Sequence, residues 1–271
     1  MKRSSILLTI CLLFAIDAVA QKTVKIAMAQ IFSLDGDRSG NLVRIENAVR
    51  DAKARGADIV TFPESCILGW INADAHKRAH PIPGSDSDNL CALALRHQIY
   101  ICVGLDEKDG DKLYGAVLLI DDKGKILYKH RKINVLPELM TPPYSIGDKV
   151  GGVQTRFGKI GLMICADSFM EDVLARMKDS KPDLVLIPYG WAAEEGEWPV
   201  HGKELEKVVQ HAATTVGCAV IGTDLVGEIS GGPWKGRIYG GHSVAADKSG
   251  NVIARGKDRD SDLVIVTISI P

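Results

Sequence analysis

Strand-length apolar runs alternate with helix-patterned segments along nearly the whole chain, and this alternation confines it to the α/β class. Val24 to Ile31 predicts a strand, and Asn41 to Arg55 a helix with Leu42, Ile45, Ala48, Val49 and Ala52 on one face. Gly56 closes that helix, and a strand over Asp58 to Phe62 follows, ending at Pro63-Glu64. After a loop rich in Pro, Gly and Asp come a short helix, Asn89 to His97, and a strand, Ile99 to Leu105. Leu184 to Pro188 reads as a buried strand and Lys203 to Val216 as the cleanest amphipathic helix. Cys218 to Ile221 and Leu263 to Ile270 supply the last long apolar runs.

Tyr114 to Ile120 and Lys125 to Lys129 flank Asp121-Asp122-Lys123-Gly124, a hairpin signal. A second hairpin joins Ser243 to Ala246 and Asn251 to Ala254 through Asp247-Lys248-Ser249-Gly250. Both halves thus run strand, helix, strand, hairpin, which is the pattern of two pseudo-symmetric halves. A loop with Pro137, Pro142 and Pro143 separates the first hairpin from the apolar run Lys159 to Ile164. No linker divides the chain, so residues 21–271 are expected to form one large domain.

The first twenty residues have a different character. Lys2 and Arg3 precede an apolar core, Ile6 to Ile16, and Ala18-Val19-Ala20 is a cleavage signature. This is the pattern of a secretory signal peptide cut after Ala20, with an apolar run too short to span a bilayer comfortably. The expectation is an exported protein, periplasmic or secreted, with no stable membrane insertion. Without Lys2, Arg3 and Asp17, the 33 basic and 34 acidic residues become 31 and 33, a net charge near −2. No basic stripe with interleaved aromatics is present, which argues against a nucleic-acid partner. Of the six cysteines, five follow Ala20, an odd number that leaves at least one thiol free in an oxidising compartment. Cys102 and Cys218 lie in apolar runs that bury thiols by default, whereas Cys66 and Cys91 leave disulfide pairing open.

Cys165 ends its apolar run and precedes Ala166, Asp167 and a helix-like segment, Phe169 to Met177. A sulfur at a strand-to-helix turn meets unpaired N–H groups and the positive end of a helix dipole, both of which favour the thiolate. Glu64 stands at another strand end with Phe62, Ile67 and Trp70 as walls, where a raised pKa would suit a general base and acid. Lys132 closes the run Lys129-His130-Arg131-Lys132, a basic stretch that by default is a solvated face. Beside a thiol, its ammonium would instead lower the thiol pKa and hold an oxyanion. Glu138 lies six residues on and is placed to position Lys132 or to sit in solvent. His76 and His80 have i, i+4 spacing but no third ligand in register, so they read as a loop pair and no metal site is expected.

Phe62-Pro63-Glu64, Arg131-Lys132 before Ile-x-x-Leu-Pro-Glu, and Ile164-Cys165-Ala166-Asp167 resemble, in order, the three signatures of the nitrilase superfamily of carbon–nitrogen hydrolases. The resemblance covers nearly all of Lys22 to Ile270, with Gly158-Lys159-Ile160-Gly161 and Gly240-Gly241-His242-Ser243 as supporting pieces. It implies a four-layer α-β-β-α sandwich, at least a dimeric state, and no metal or organic cofactor. It also implies catalysis by Glu64, Lys132 and Cys165, with Glu138 matching a second glutamate of such pockets. The implied reaction is hydrolysis of a small-molecule amide through a thioester, the oxyanion held by Lys132 and the Ala166 N–H.

Two departures from the family pattern bear on substrate. Ala166 stands where an aromatic is common, which predicts a wider pocket beside the nucleophile. Lys203 to Val216 ends in His211-Ala212-Ala213-Thr214-Thr215 in place of the usual Arg-Ala-x-Glu-Asn. The segment Tyr189 to Trp198 is expected to lie over the site, with Trp191 as a candidate lining residue. The readings in contest are an amidase on a small linear amide or carbamoyl compound, a nitrilase, and a non-catalytic binding protein on the same scaffold.

Overall fold

The computed structural model describes residues 22–270, so the expected signal peptide lies outside the described residues. Two six-stranded sheets dominate. The first runs, edge to edge, Asp262–Ile270, Lys22–Gln30, Ile59–Thr61, Tyr100–Asp109, Lys112–Ile120 and Ile126–Arg131. The second runs Val252–Arg255, Val244–Ala246, Ala219–Thr223, Leu184–Pro188, Gly158–Leu162 and Gly151–Thr155.

In each sheet three parallel strands form the centre, one antiparallel strand covers one edge, and a hairpin extends the other. The two halves are therefore equivalent strand for strand, as the repeated pattern predicted. The antiparallel edge of the first half is supplied by the C-terminal strand. Its counterpart, Gly151–Thr155, was expected to be loop.

Side chains of the strand Lys22–Gln30 divide by period two. Val24, Ile26 and Met28 join the core between the sheets, and Ala27 and Ala29 face the helices outside. The helices Arg38–Ala54 and Ser85–His97 cover the outer face of the first sheet through Ile45, Val49, Ala52, Leu90 and Ala94. The helices Glu171–Asp179 and Val200–Val216 cover the second through Val173, Leu174, Met177, Leu205 and Val209. This is a four-layer α-β-β-α sandwich. Gly161 is needed at one helix–sheet contact, because a Cβ there would fall 2.6 Å from the Met177 sulfur.

A further three-stranded sheet, Ala192–Ala193, Val226–Glu228 and Ile238–Gly240, was not expected. It gives structure to the Tyr189 to Trp198 segment. No described helix is long and apolar enough to cross a membrane. Among the described residues all five cysteines are free thiols.

Candidate active site

Three strand ends, those of Ile59–Thr61, Leu184–Pro188 and Ala219–Thr223, converge where the two sheets meet. The Glu64 N–H donates to the Tyr189 carbonyl (3.2 Å), and the Tyr189 N–H to the Thr223 carbonyl (2.8 Å). The Thr223 hydroxyl donates to that of Thr61 (3.3 Å). These bonds fix the chain after one central strand of each sheet against the other.

The structure brings Glu64, Lys132 and Cys165 together in a nearly closed site. Their relative exposures are 2%, 2% and 4%. Lys132 Nζ donates to Glu64 Oε1 at 2.6 Å, with the Trp70 ring 5.5 Å from the ammonium. Burial raises the Glu64 pKa above the ordinary glutamate range, against the pull of Lys132. Burial alone would lower Lys132, but the Glu64 carboxylate opposes it and keeps the ammonium charged.

Cys165 departs from the sequence expectation in one respect. It opens a 3₁₀ turn, Cys165–Phe169, and the α-helix begins only at Glu171. The helix dipole therefore does not fall on the sulfur. Burial, followed by the Glu64 charge, pushes the thiol pKa up, and Lys132 and the Gly190 N–H oppose that rise. The resting nucleophile is a thiol with a base beside it. Its backbone has φ +42°, a left-handed conformation that costs a residue with a Cβ about 1 kcal/mol. Strain of this kind collects where a side chain must be presented at a sharp turn.

The basic run Lys129 to Lys132 is half solvated face and half site. Lys129 and Arg131 turn outward to Glu107, and Arg131 also meets Asp109 (2.8 Å). His130 and Lys132 turn inward and are buried. Strand alternation, applied to these four residues, separates the two pairs.

Asp167 was quoted only as part of a motif, yet it organises the site. Its Oδ1 accepts the N–H groups of Ile133 and Asn134, both at 2.9 Å. Its Oδ2 meets His130 Nε2 at 2.8 Å and the Ile164 N–H at 3.1 Å. The turn carrying Cys165 is thereby tied to the segment carrying Lys132.

Three proposed lining residues sit differently from expectation. Glu138 is exposed in the 3₁₀ turn Pro137–Leu139 and forms no hydrogen bond or ion pair with Lys132 among the described residues. Chain direction explains this: after Asn134 the backbone is held by Asp167, and the turn carries Glu138 outward. The Ala166 methyl is fully buried in the core between the sheets, so it fills that core and does not widen an open pocket. The Trp191 ring is spent on packing: it stacks on His201 (4.8 Å between centroids) and donates from Nε1 to the His201 carbonyl at 2.9 Å. What Trp191 presents to the site is its backbone N–H, donated to Asp224 Oδ1 at 2.7 Å.

His76 Nε2 pairs with the Pro142 carbonyl and His80 with Asp86, and no group of three or more His, Cys, Asp or Glu among the described residues could hold a metal ion.

A second buried acid lies behind Glu64. Asp106 Oδ1 accepts from Tyr144 (2.7 Å) and from Ser65 (3.1 Å), whereas Oδ2 has no partner. Burial pushes its pKa up to about 7. Between about pH 4 and pH 7 the folded protein holds a proton that the unfolded chain releases, so stability falls as pH rises through that window. Asp106→Asn keeps an acceptor for both hydroxyls and removes the titration. The wild type is expected to lose up to about 4 kcal/mol relative to Asp106→Asn between pH 4 and pH 8, an order-of-magnitude figure from three pKa units. Denaturant melts across that range check it; parallel pH profiles for the two proteins would exclude Asp106 as the source.

Comparison with known proteins identifies the family. The carbon–nitrogen hydrolase family matches residues 25–271. The chain therefore belongs to that family, within the nitrilase superfamily. It is 30% identical over 174 residues to a bifunctional nitrilase/nitrile hydratase of Nicotiana tabacum, covering 57% of this chain and 50% of that protein. The match thus spans about half the length of the tobacco protein. Identity to an (R)-stereoselective amidase of a Pseudomonas species is 26% over 231 residues, 85% of this chain and 80% of the relative. The crystal structure of an amidase from a Nesterenkonia species superposes with a TM-score of 0.80 at 18% identity, covering 93% of this chain and 92% of that one. At that identity the superposition shows the fold alone.

Proposed function

We propose that this chain is an exported amidase that hydrolyses a small linear amide or carbamoyl compound through a thioester on Cys165. The observation that carries the reading is the buried Lys132–Glu64 pair beside a buried thiol at a strained turn. The proposed sequence of steps uses Glu64 as the proton carrier throughout. Cys165 Sγ attacks the carbonyl carbon while Glu64 takes the thiol proton. Lys132 and the Ala166 N–H hold the oxyanion; none of the hydrogen bonds among the described residues uses that N–H. Glu64 then gives its proton to the leaving amine, and water activated by Glu64 releases the acid.

The amidase reading is favoured over the nitrilase one by the extent of similarity: the Pseudomonas amidase is matched over most of both chains, the tobacco nitrilase over about half of each. An ammonia-release screen across amides, nitriles and N-carbamoyl compounds tests it, with intact-mass analysis after brief exposure to a turned-over compound. Ammonia from amides and an acyl adduct on the Cys165 peptide are the expected results. Turnover of nitriles alone would replace the amidase by a nitrilase, and silence across the panel from folded protein would make it a binding module.

A further inference from the structure

Asp224 is a fully buried carboxyl group next to the reacting groups, and one of its oxygens is unused. Burial holds its pKa well above the ordinary aspartate range, so a cation beside it is what would favour the ionised form. It follows the central strand Ala219–Thr223, and its neighbours hold it from two sides. Its own N–H donates to the Ser243 hydroxyl at 2.9 Å, and its Oδ1 accepts the Trp191 N–H at 2.7 Å. Trp191 follows Gly190, whose N–H is turned to the Cys165 sulfur. The carboxyl group is thus fixed two peptide units from the nucleophile.

Asp224 Oδ2 makes no hydrogen bond, and neither do Glu64 Oε2 nor the Tyr239 hydroxyl. All three residues are buried and close enough to interact electrostatically. Gly190 lies beside this space: a Cβ on it would stand 3.4 Å from Glu64 Oε2 and 3.3 Å from the Trp70 ring. No cation of the chain forms an ion pair with Asp224 among the described residues, since Lys132 is bound to Glu64. The structural task of Asp224 is to accept the backbone N–H groups of Trp191 and Leu225, which the two lone pairs of an amide oxygen can also do. Asparagine keeps an acceptor for these N–H groups, so the second oxygen is surplus to that task.

Glu64 Oε2 is the oxygen free to meet the leaving nitrogen, which leaves Asp224 Oδ2 for another part of the substrate. We infer that Asp224 is a specificity-determining residue that selects amides carrying a protonated amine on the acyl side, its Oδ2 accepting the ammonium N–H. Tyr239 Oη supplies a second acceptor. The inference rests on the amidase reading and narrows it. It also disfavours amides bearing a carboxylate, which would face Glu64 and Asp224 in a site with one cation.

The test compares 3-aminopropanamide, the isosteric butanamide, and succinamate as substrates of the wild type and of Asp224→Asn. The wild type should prefer 3-aminopropanamide to butanamide by about tenfold or more in kcat/KM, the scale of a hydrogen bond to a charged group, with succinamate slowest. In Asp224→Asn that preference should collapse to within about twofold. A wild type that prefers butanamide or succinamate overturns the inference, as does a folded variant that keeps the amine preference. Should the variant not fold, the wild-type rank order decides alone. Acylation of Cys165 by butanamide without any amine preference removes the specificity and leaves the amidase standing. Absence of any adduct on Cys165 from all three amides overturns both.

Discussion

Cys165→Ala is expected to lower amide turnover by about 10⁵-fold or more while leaving the fold intact, because removing the member of a catalytic set that forms the covalent bond removes the pathway itself. The fold should tolerate the change. The sulfur is small, its loss opens a space of about one atom, and alanine occupies the same left-handed backbone at φ +42° with the same strain. A stability loss of about 1 kcal/mol is expected, close to the average for point substitutions. Ammonia release and a thermal melt on the same preparation check both halves. The other four thiols give the control. Burial pushes Cys102 and Cys218 up to about 12, and it raises Cys66 and Cys91 as well. None of them forms a hydrogen bond or ion pair with Lys132. Turnover by Cys165→Ala at the wild-type rate would show that the acyl group travels by another route.

Much of this was readable from local pattern. Long apolar runs with clear periods, such as Leu184–Pro188 and Val200–Val216, lie where the alternation places them, because burial on one or both faces leaves a direct trace in residue type. The strand Gly151–Thr155 leaves no such trace. It is short, opens with two glycines, and exists because Gly158–Leu162 offers it a partner across a tight turn. The small third sheet, with strands of two or three residues, is likewise created by tertiary contact and not by propensity. In the site, Glu64, Lys132 and Cys165 could be named because each ends a strand-length segment and stands in a motif that resembles the signatures of the nitrilase superfamily. Asp224 and Tyr239 could not, since nothing in Thr223-Asp224-Leu225 separates a buried acid from a loop acid. Their meaning comes from strands of the two halves meeting in space. Trp191 fails in the opposite direction: its identity suggests a lining aromatic, but His201, ten residues on, occupies the ring.

Asp167→Ala is expected to be the most destabilising single substitution near the site. One carboxylate there serves three backbone N–H groups and His130, and neither Asp167 nor the imidazole reaches solvent. Alanine leaves all four partners without an acceptor in a dry interior, where each unpaired polar group costs about 1–3 kcal/mol. Local rearrangement recovers part of this, so a net loss of about 4 kcal/mol or more is the expected result, a large fraction of the stability of an ordinary domain. Asp167→Asn separates the causes. It retains Oδ1 for Ile133 and Asn134 but turns an N–H₂ group toward the Ile164 N–H and His130, so it should fall between wild type and alanine. The same bonds fix the distance between the turn that presents Cys165 and the segment that presents Lys132. Turnover should therefore fall in both variants at temperatures where each is still folded, with kcat reduced more than KM is raised, because Asp167 positions reacting groups and does not touch substrate. Denaturant titration and steady-state kinetics on the two variants measure the two effects separately. If either variant unfolds at the wild-type midpoint, Asp167 does not hold these segments together.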